Sequence, residues 1–139
     1  RVEWPGRFQI VQHCPVVLVD GAHNVESMKK LVNNIKAYFN YDKLFLIIGA
    51  SCDKDISGMV KELVSLPSQV VVTRSSHPRA ASPLVIAAEF AKRGIKSKIA
   101  ENVPQALSQT LSGANKEDAI CVTGSLFLVA EALDYFSKD

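Results

Sequence analysis

The sequence lacks the marks of several large protein classes. Its three cysteines, Cys14, Cys52 and Cys121, are odd in number, far apart and without a CxxC spacing, so neither a disulfide framework nor a zinc site is expected. A reducing cytoplasm is the expected location, and Cys121, inside an apolar run, reads as a core filler. No apolar stretch approaches the roughly 18 residues that a membrane span needs, so no membrane partner is expected. Charge of one sign is not in excess: 16 Lys and Arg face 14 Asp and Glu, for a net +2. The basic residues Lys29, Lys30, Lys92, Arg93, Lys96 and Lys98 are scattered as solvated helix faces would be, which argues against a nucleic-acid partner. Three motifs are missing. Without GxGxxG there is no standard dinucleotide fingerprint, without GxxxxGK[ST] no P-loop, and without GxSxG no nucleophile elbow.

What is present suffices for one globular domain. The chain has 139 residues, 47% of them hydrophobic and 22% charged. A chain of this mass exposes about 7,000 Å² when folded and buries about two thirds of its unfolded surface. Short apolar runs at 16–19, 44–48, 70–73 and 119–123 are rich in β-branched residues and continuous rather than alternating. Such runs predict strands buried on both faces, as in parallel sheets covered by helices. Residues 8–12 alternate in part, as an edge strand would, and 98–100 predict a short sixth strand. Helical spacing follows Asn24, Asp55, Ser82-Pro83 and Ser125, each a suitable N-cap, and another helix is expected to start near Pro104 and to end by Gly113. The resulting order β-β-α-β-α-β-α-β-α-β-α predicts an α/β three-layer sandwich. Its sheet is expected to be six-stranded and mostly parallel, with an antiparallel edge strand and about five helices.

In open parallel sheets, ligands bind beyond the carboxyl ends of the strands. That rule selects the loops Asp20-Gly21-Ala22-His23-Asn24, Gly49 to Asp55, Arg74 to Arg79 and Gly124-Ser125. Asp20 could accept two hydrogen bonds from a ribose diol or could serve as a plain strand-end acid. His23 lies at a helix start, where free N–H groups favour an anion, or is a surface histidine beside a cap. Ser125 caps its helix, and that helix start could also receive a carboxylate. Arg7, after the turn Pro5-Gly6, could clamp a carboxylate or phosphate in bidentate fashion or could be a surface arginine. Asp53-Lys54-Asp55 reads as a metal or phosphate loop or, more simply, as a capped helix start. His13 and His77 show no partner pattern, and no metal site is expected.

Taken together, Trp4-Pro5-Gly6-Arg7, Asp20-Gly21-Ala22-His23-Asn24, Gly49 with Asp53-Lys54-Asp55, Pro78-Arg79-Ala80 and Val122-Thr123-Gly124-Ser125-Leu126 resemble the C-terminal domain of the folylpolyglutamate synthase and dihydrofolate synthase family, within the Mur ligase superfamily. The resemblance implies a Rossmann-like domain, over 6–139, of an ATP-dependent ligase. Residues 1–5 would be the end of an interdomain linker, with an N-terminal P-loop ATPase domain preceding it in the same polypeptide. The family joins L-glutamate to a folate or to dihydropteroate through an acyl phosphate. ATP and Mg²⁺ are implied, with the metal ligands mainly in the preceding domain. By position, Arg7 would contact the ATP phosphates, Asp20 the ribose hydroxyls and His23 the γ-phosphate or acyl phosphate, with Asn24 in support. Ser125 would bind the incoming glutamate carboxylate. The 139-residue chain alone is expected to be inactive. Two other readings stay open: another Mur-type amino-acid ligase, and a non-catalytic Rossmann-like module that binds a nucleotide or a partner.

Overall fold

In the computed structural model, residues 8–67 and 69–138 are described. They form eleven elements: β1 (Gln9–His13), β2 (Val16–Asp20), α1 (Val25–Tyr38), β3 (Leu44–Ile48), α2 (Ile56–Leu63), β4 (Gln69–Val72), α3 (Pro83–Ala91), β5 (Ser97–Ile99), α4 (Val103–Gly113), β6 (Ala119–Thr123) and α5 (Leu126–Ser137). The order is the expected one. The six strands lie in the order β1-β2-β6-β3-β4-β5, with only β1 antiparallel to its neighbour. The register of β1 slips between Ile10 and Gln12, a bulge of the kind that blunts an edge.

The continuous apolar runs are explained by burial on both faces. Along β3, Leu44, Leu46 and Ile48 join a core shared with α1, α2 and α3. Phe45 and Ile47, between them, join a second core shared with α4 and α5. The helices therefore lie three on one face and two on the other. Each fully buried Val, Leu, Ile, Met or Phe contributes about 1.5–3 kcal/mol, and Phe90, Met28 and Ile47 are among the large side chains under 2% exposed. Cys121 is buried in the first core, and burial pushes its thiol well above the usual range.

Local chemistry sets the helix starts. Asn24 caps α1 in a reciprocal box with Ser27, Asp55 caps α2, Ser82 precedes Pro83 at the start of α3, and Ser125 caps α5. The start of α4 corrects the sequence expectation by one residue. Asn102 accepts a hydrogen bond from Gln105 N and begins the helix at Val103, so Pro104 falls second, where its missing N–H is harmless. Strand β4 ends at Val72 rather than 73, while the Thr73 hydroxyl donates to Ala100 O and continues the link towards β5.

Candidate functional site

The strand order creates the site. From β2 the chain passes into α1 on one face of the sheet, whereas from the adjacent β6 it passes into α5 on the other. Neighbouring strands whose helices leave to opposite faces open a crevice at their carboxyl ends. Asp20 ends β2 directly beside Thr123 at the end of β6, and Thr123 is also level with Ile48 of β3. Beyond them lies a cleft of about 390 Å³. Its floor and rim come from Phe8, Asp20, Gly21, Ala22, His23 and Leu126, and one wall from Ser27, Lys30, Leu31 and Asn34 of α1.

Asp20 and His23 thus meet in one cleft, each already partly engaged. Asp20 Oδ1 accepts from Ala22 N at 2.8 Å and Oδ2 from Phe8 N at 3.1 Å. Those bonds fix the carboxylate in place. His23 Nδ1 lies 2.9 Å from Gly21 O. A carbonyl only accepts, so Nδ1 carries the hydrogen. A ligand is then met by Nε2, which is an acceptor in the neutral ring and a donor only in the imidazolium. Asn24 stands next to this pair and shapes the helix start. Its Oδ1 accepts from Ser27 N at 2.8 Å, and Ser27 Oγ accepts from Asn24 N and His23 N at 3.1 and 3.0 Å. Val25 N and Glu26 N, at the first two positions of α1, have no intrahelical acceptor, as at any helix start that can bind an anion.

Ser125 is placed differently. It is 6% exposed, and its Oγ accepts from Phe127 N at 3.0 Å and Leu128 N at 3.4 Å. Capping therefore uses the hydroxyl's acceptor side, and its proton is left to donate. The turn before it is forced into glycine. Gly124 has φ +115°, and a Cβ there would overlap Gly49 O. Gly49 N donates to Thr123 O, so the β3 and β6 loops meet backbone to backbone. The buried Thr123 hydroxyl has no hydrogen-bond partner among the described residues, a feature that nothing in the sequence signalled.

The other two loops are clasped together. Asp55 Oδ1 accepts from Gly58 N, which gives this acid a capping role. Ser51 and Ala80 form an isolated antiparallel bridge, reinforced by Cys52 N to Arg79 O at 2.7 Å and Ala81 N to Ala50 O at 2.8 Å. Asp53 pairs with Arg79 at 3.4 Å in solvent. His77, partnerless in the sequence reading, stacks on Phe127. Their separation of fifty positions leaves no local signal. His13 lies exposed at the opposite end of the sheet, level with Val16. Arg7, the Trp4-Pro5-Gly6 segment and the expected linker at 1–5 lie outside the described residues. Among the described residues, no cluster of three His, Cys, Asp or Glu could hold a metal ion, and no helix is long and apolar enough to cross a membrane.

The model of the Mur ligase glutamate ligase domain matches residues 6–126. The chain belongs to this family. Among curated Mur ligase relatives, it is 36% identical over 130 residues to a probable bifunctional folylpolyglutamate synthase/dihydropteroate synthase of Halobacterium salinarum, covering 93% of this chain and 16% of that protein. Among solved structures, Escherichia coli FolC in complex with ADP superposes with TM-score 0.89 at 30% identity, over 96% of this chain and 32% of that one. A bifunctional folylpolyglutamate synthase/dihydrofolate synthase with Mn, AMPPNP and L-glutamate bound gives TM-score 0.89 at 27% identity, over 98% and 32%. The Mur ligase domain described here thus spans between about a sixth and a third of the length of these relatives.

Proposed function

We propose that this domain is the glutamate-receiving part of an ATP-dependent ligase that adds L-glutamate to a folate, to dihydropteroate, or to both. The observation that carries the reading is the cleft at the β2–β6 crevice, where a carboxylate, an imidazole and an open helix start converge. A nucleotide fits this set by chemistry. Asp20 would accept from the ribose hydroxyls. The α1 start, supported by Asn24, would face phosphate oxygens. His23 would donate to a phosphate oxygen through Nε2. Arg7 would add a bidentate clamp on the same phosphates.

In the reaction, the acceptor carboxylate attacks the γ-phosphorus of ATP, giving an acyl phosphate and ADP. The glutamate amine, having lost a proton, attacks the acyl carbon, and inorganic phosphate leaves the tetrahedral intermediate. Ser125 would donate its hydroxyl proton to the incoming glutamate carboxylate at the start of α5. Mg²⁺ would accompany the nucleotide, and we assign it no ligand in this domain. A P-loop ATPase domain in the same polypeptide would complete the site on closure, an arrangement that excludes water from the acyl phosphate. A cytoplasmic location fits the three free cysteines.

The test is an assay of the full-length polypeptide with ATP, Mg²⁺, L-glutamate and, separately, dihydropteroate and a reduced folate. The expected product of either acceptor is heavier by one glutamyl group, with one ADP formed per addition. Turnover of a UDP-sugar acceptor and of neither pterin would overturn the reading in favour of another Mur-type ligase. The 139-residue domain alone should fold and give no turnover.

A further inference from the structure

The β4–α3 loop is held more firmly than an exposed loop needs to be, and what it grips is the start of α5. Phe127 is the second residue of that helix, is 48% exposed, and belongs to neither core. Its N–H nevertheless supplies one of the two bonds to Ser125 Oγ. A half-exposed first turn frays unless something outside the helix holds it. Here the His77 ring lies 3.9 Å from the Phe127 ring, centroid to centroid, at 22° between planes. The imidazole is itself oriented, since its Nδ1 accepts from Arg79 N at 3.0 Å. One turn further along α5, the Glu131 carboxylate accepts from both Ser76 N and Ser76 Oγ at 2.8 Å. The same loop is joined at Ala80 and Arg79 to the β3–α2 loop.

We propose that His77 is a positioning residue: stacked on Phe127, it sets the first turn of α5 and so the orientation of the Ser125 hydroxyl towards the glutamate carboxylate. This rests on the assignment of Ser125 to glutamate made above. A purely structural role would draw on the core, and Phe127 lies outside it. The loop acts as a strut between α5 and the β3–α2 loop. Loss of the stack should therefore disturb glutamate binding more than nucleotide binding, because α5 gives the nucleotide cleft only the apolar Leu126 while its polar groups come from β2, α1 and the loop that joins them.

The experiment uses the full-length enzyme with His77→Ala, Phe127→Ala, the double variant, Phe127→Trp and Ser125→Gly. Glycine at an N-cap costs the helix little, so Ser125→Gly removes the hydroxyl with small risk to the fold. We expect His77→Ala and Phe127→Ala each to raise KM for glutamate about fivefold or more. KM for ATP should stay within about twofold, the double variant should be no worse than the worse single, and Phe127→Trp should retain near wild-type KM. An unchanged glutamate KM in both single variants, with Ser125→Gly raising it, would overturn the positioning role and leave the Ser125 assignment standing. An unchanged glutamate KM in Ser125→Gly would overturn the assignment itself, and the proposal with it. A uniform fall in kcat and rise in both KM values, accompanied by a lowered Tm, would show His77 to be merely structural.

Discussion

Two aspartates at opposite ends of the sheet perform the same local task in different surroundings. Asp20, after β2, ties Ala22 N and Phe8 N. Asp118, just before β6, ties Lys43 N at 3.2 Å and Asn115 N at 2.8 Å. Each gathers two backbone donors from separate segments. Asp118 is 2% exposed and faces a hollow of about 340 Å³ with Lys116 and Glu117 but no histidine, whereas Asp20 borders a cleft of about 390 Å³ with His23 beside it. A carboxylate that accepts two amides is therefore not a site by virtue of those bonds. The difference lies in topology. At the carboxyl ends of β2 and β6, α1 and α5 diverge to opposite faces and leave a crevice that has a helix start and an imidazole beside the carboxylate.

The contrast can be broken in several ways. The largest effect belongs to Gly124→Ala, which meets both a positive φ and the Gly49 carbonyl. We expect a loss of about 4 kcal/mol, seen as a lower urea midpoint for the 139-residue domain; wild-type stability would mean that the open end does not depend on this backbone approach. Asp118→Ala follows, because it leaves two part-buried backbone donors, Lys43 N and Asn115 N, without their acceptor. A loss of about 3 kcal/mol is expected, with nucleotide affinity of the folded full-length enzyme unchanged. Weakened nucleotide binding at full folding would contradict a purely structural Asp118. Asp20→Asn should do the reverse in the full-length enzyme. Nucleotide affinity measured by calorimetry should fall about tenfold, or about 1.4 kcal/mol, with a smaller loss of Tm than for Asp118→Ala. Equal affinity for wild type and variant would erase the functional half of the comparison. Asp53→Ala is the smallest, since the pair with Arg79 is solvent-exposed. Its cost should be below about 0.5 kcal/mol, and a larger shift in a denaturation curve would show that the loop clasp relies on charge rather than on its backbone bridge.

Much of the fold was legible because the relevant physics is local. Asn24, Asp55, Ser82 and Ser125 satisfy helix-start donors two or three positions away, and a cap of that kind is visible in any short window. The missed Asn102 cap shifted α4 by one residue because Pro104, a strong signal by itself, drew the start towards it. The candidate site was legible only in part. The loops that carry Asp20, His23, Asn24 and Ser125 follow parallel strands and were expected on one rim. The His77–Phe127 stack and the bonds from Ser76 to Glu131 join residues far apart in the chain. No spacing rule reaches them, since their contact depends on how whole elements dock.

The amino-acid sequence by itself determined the elements, their order and their class, because hydrophobic period and capping chemistry act within a few residues. Strand order was decided by the tertiary structure alone. The runs at β2, β3, β4 and β6 are all apolar and buried, and nothing within any of them says that the last strand inserts between β2 and β3. That insertion follows from packing three helices on one face and two on the other, a global balance of buried surface. It is also what brings the end of β2 beside the end of β6 and opens the crevice between them.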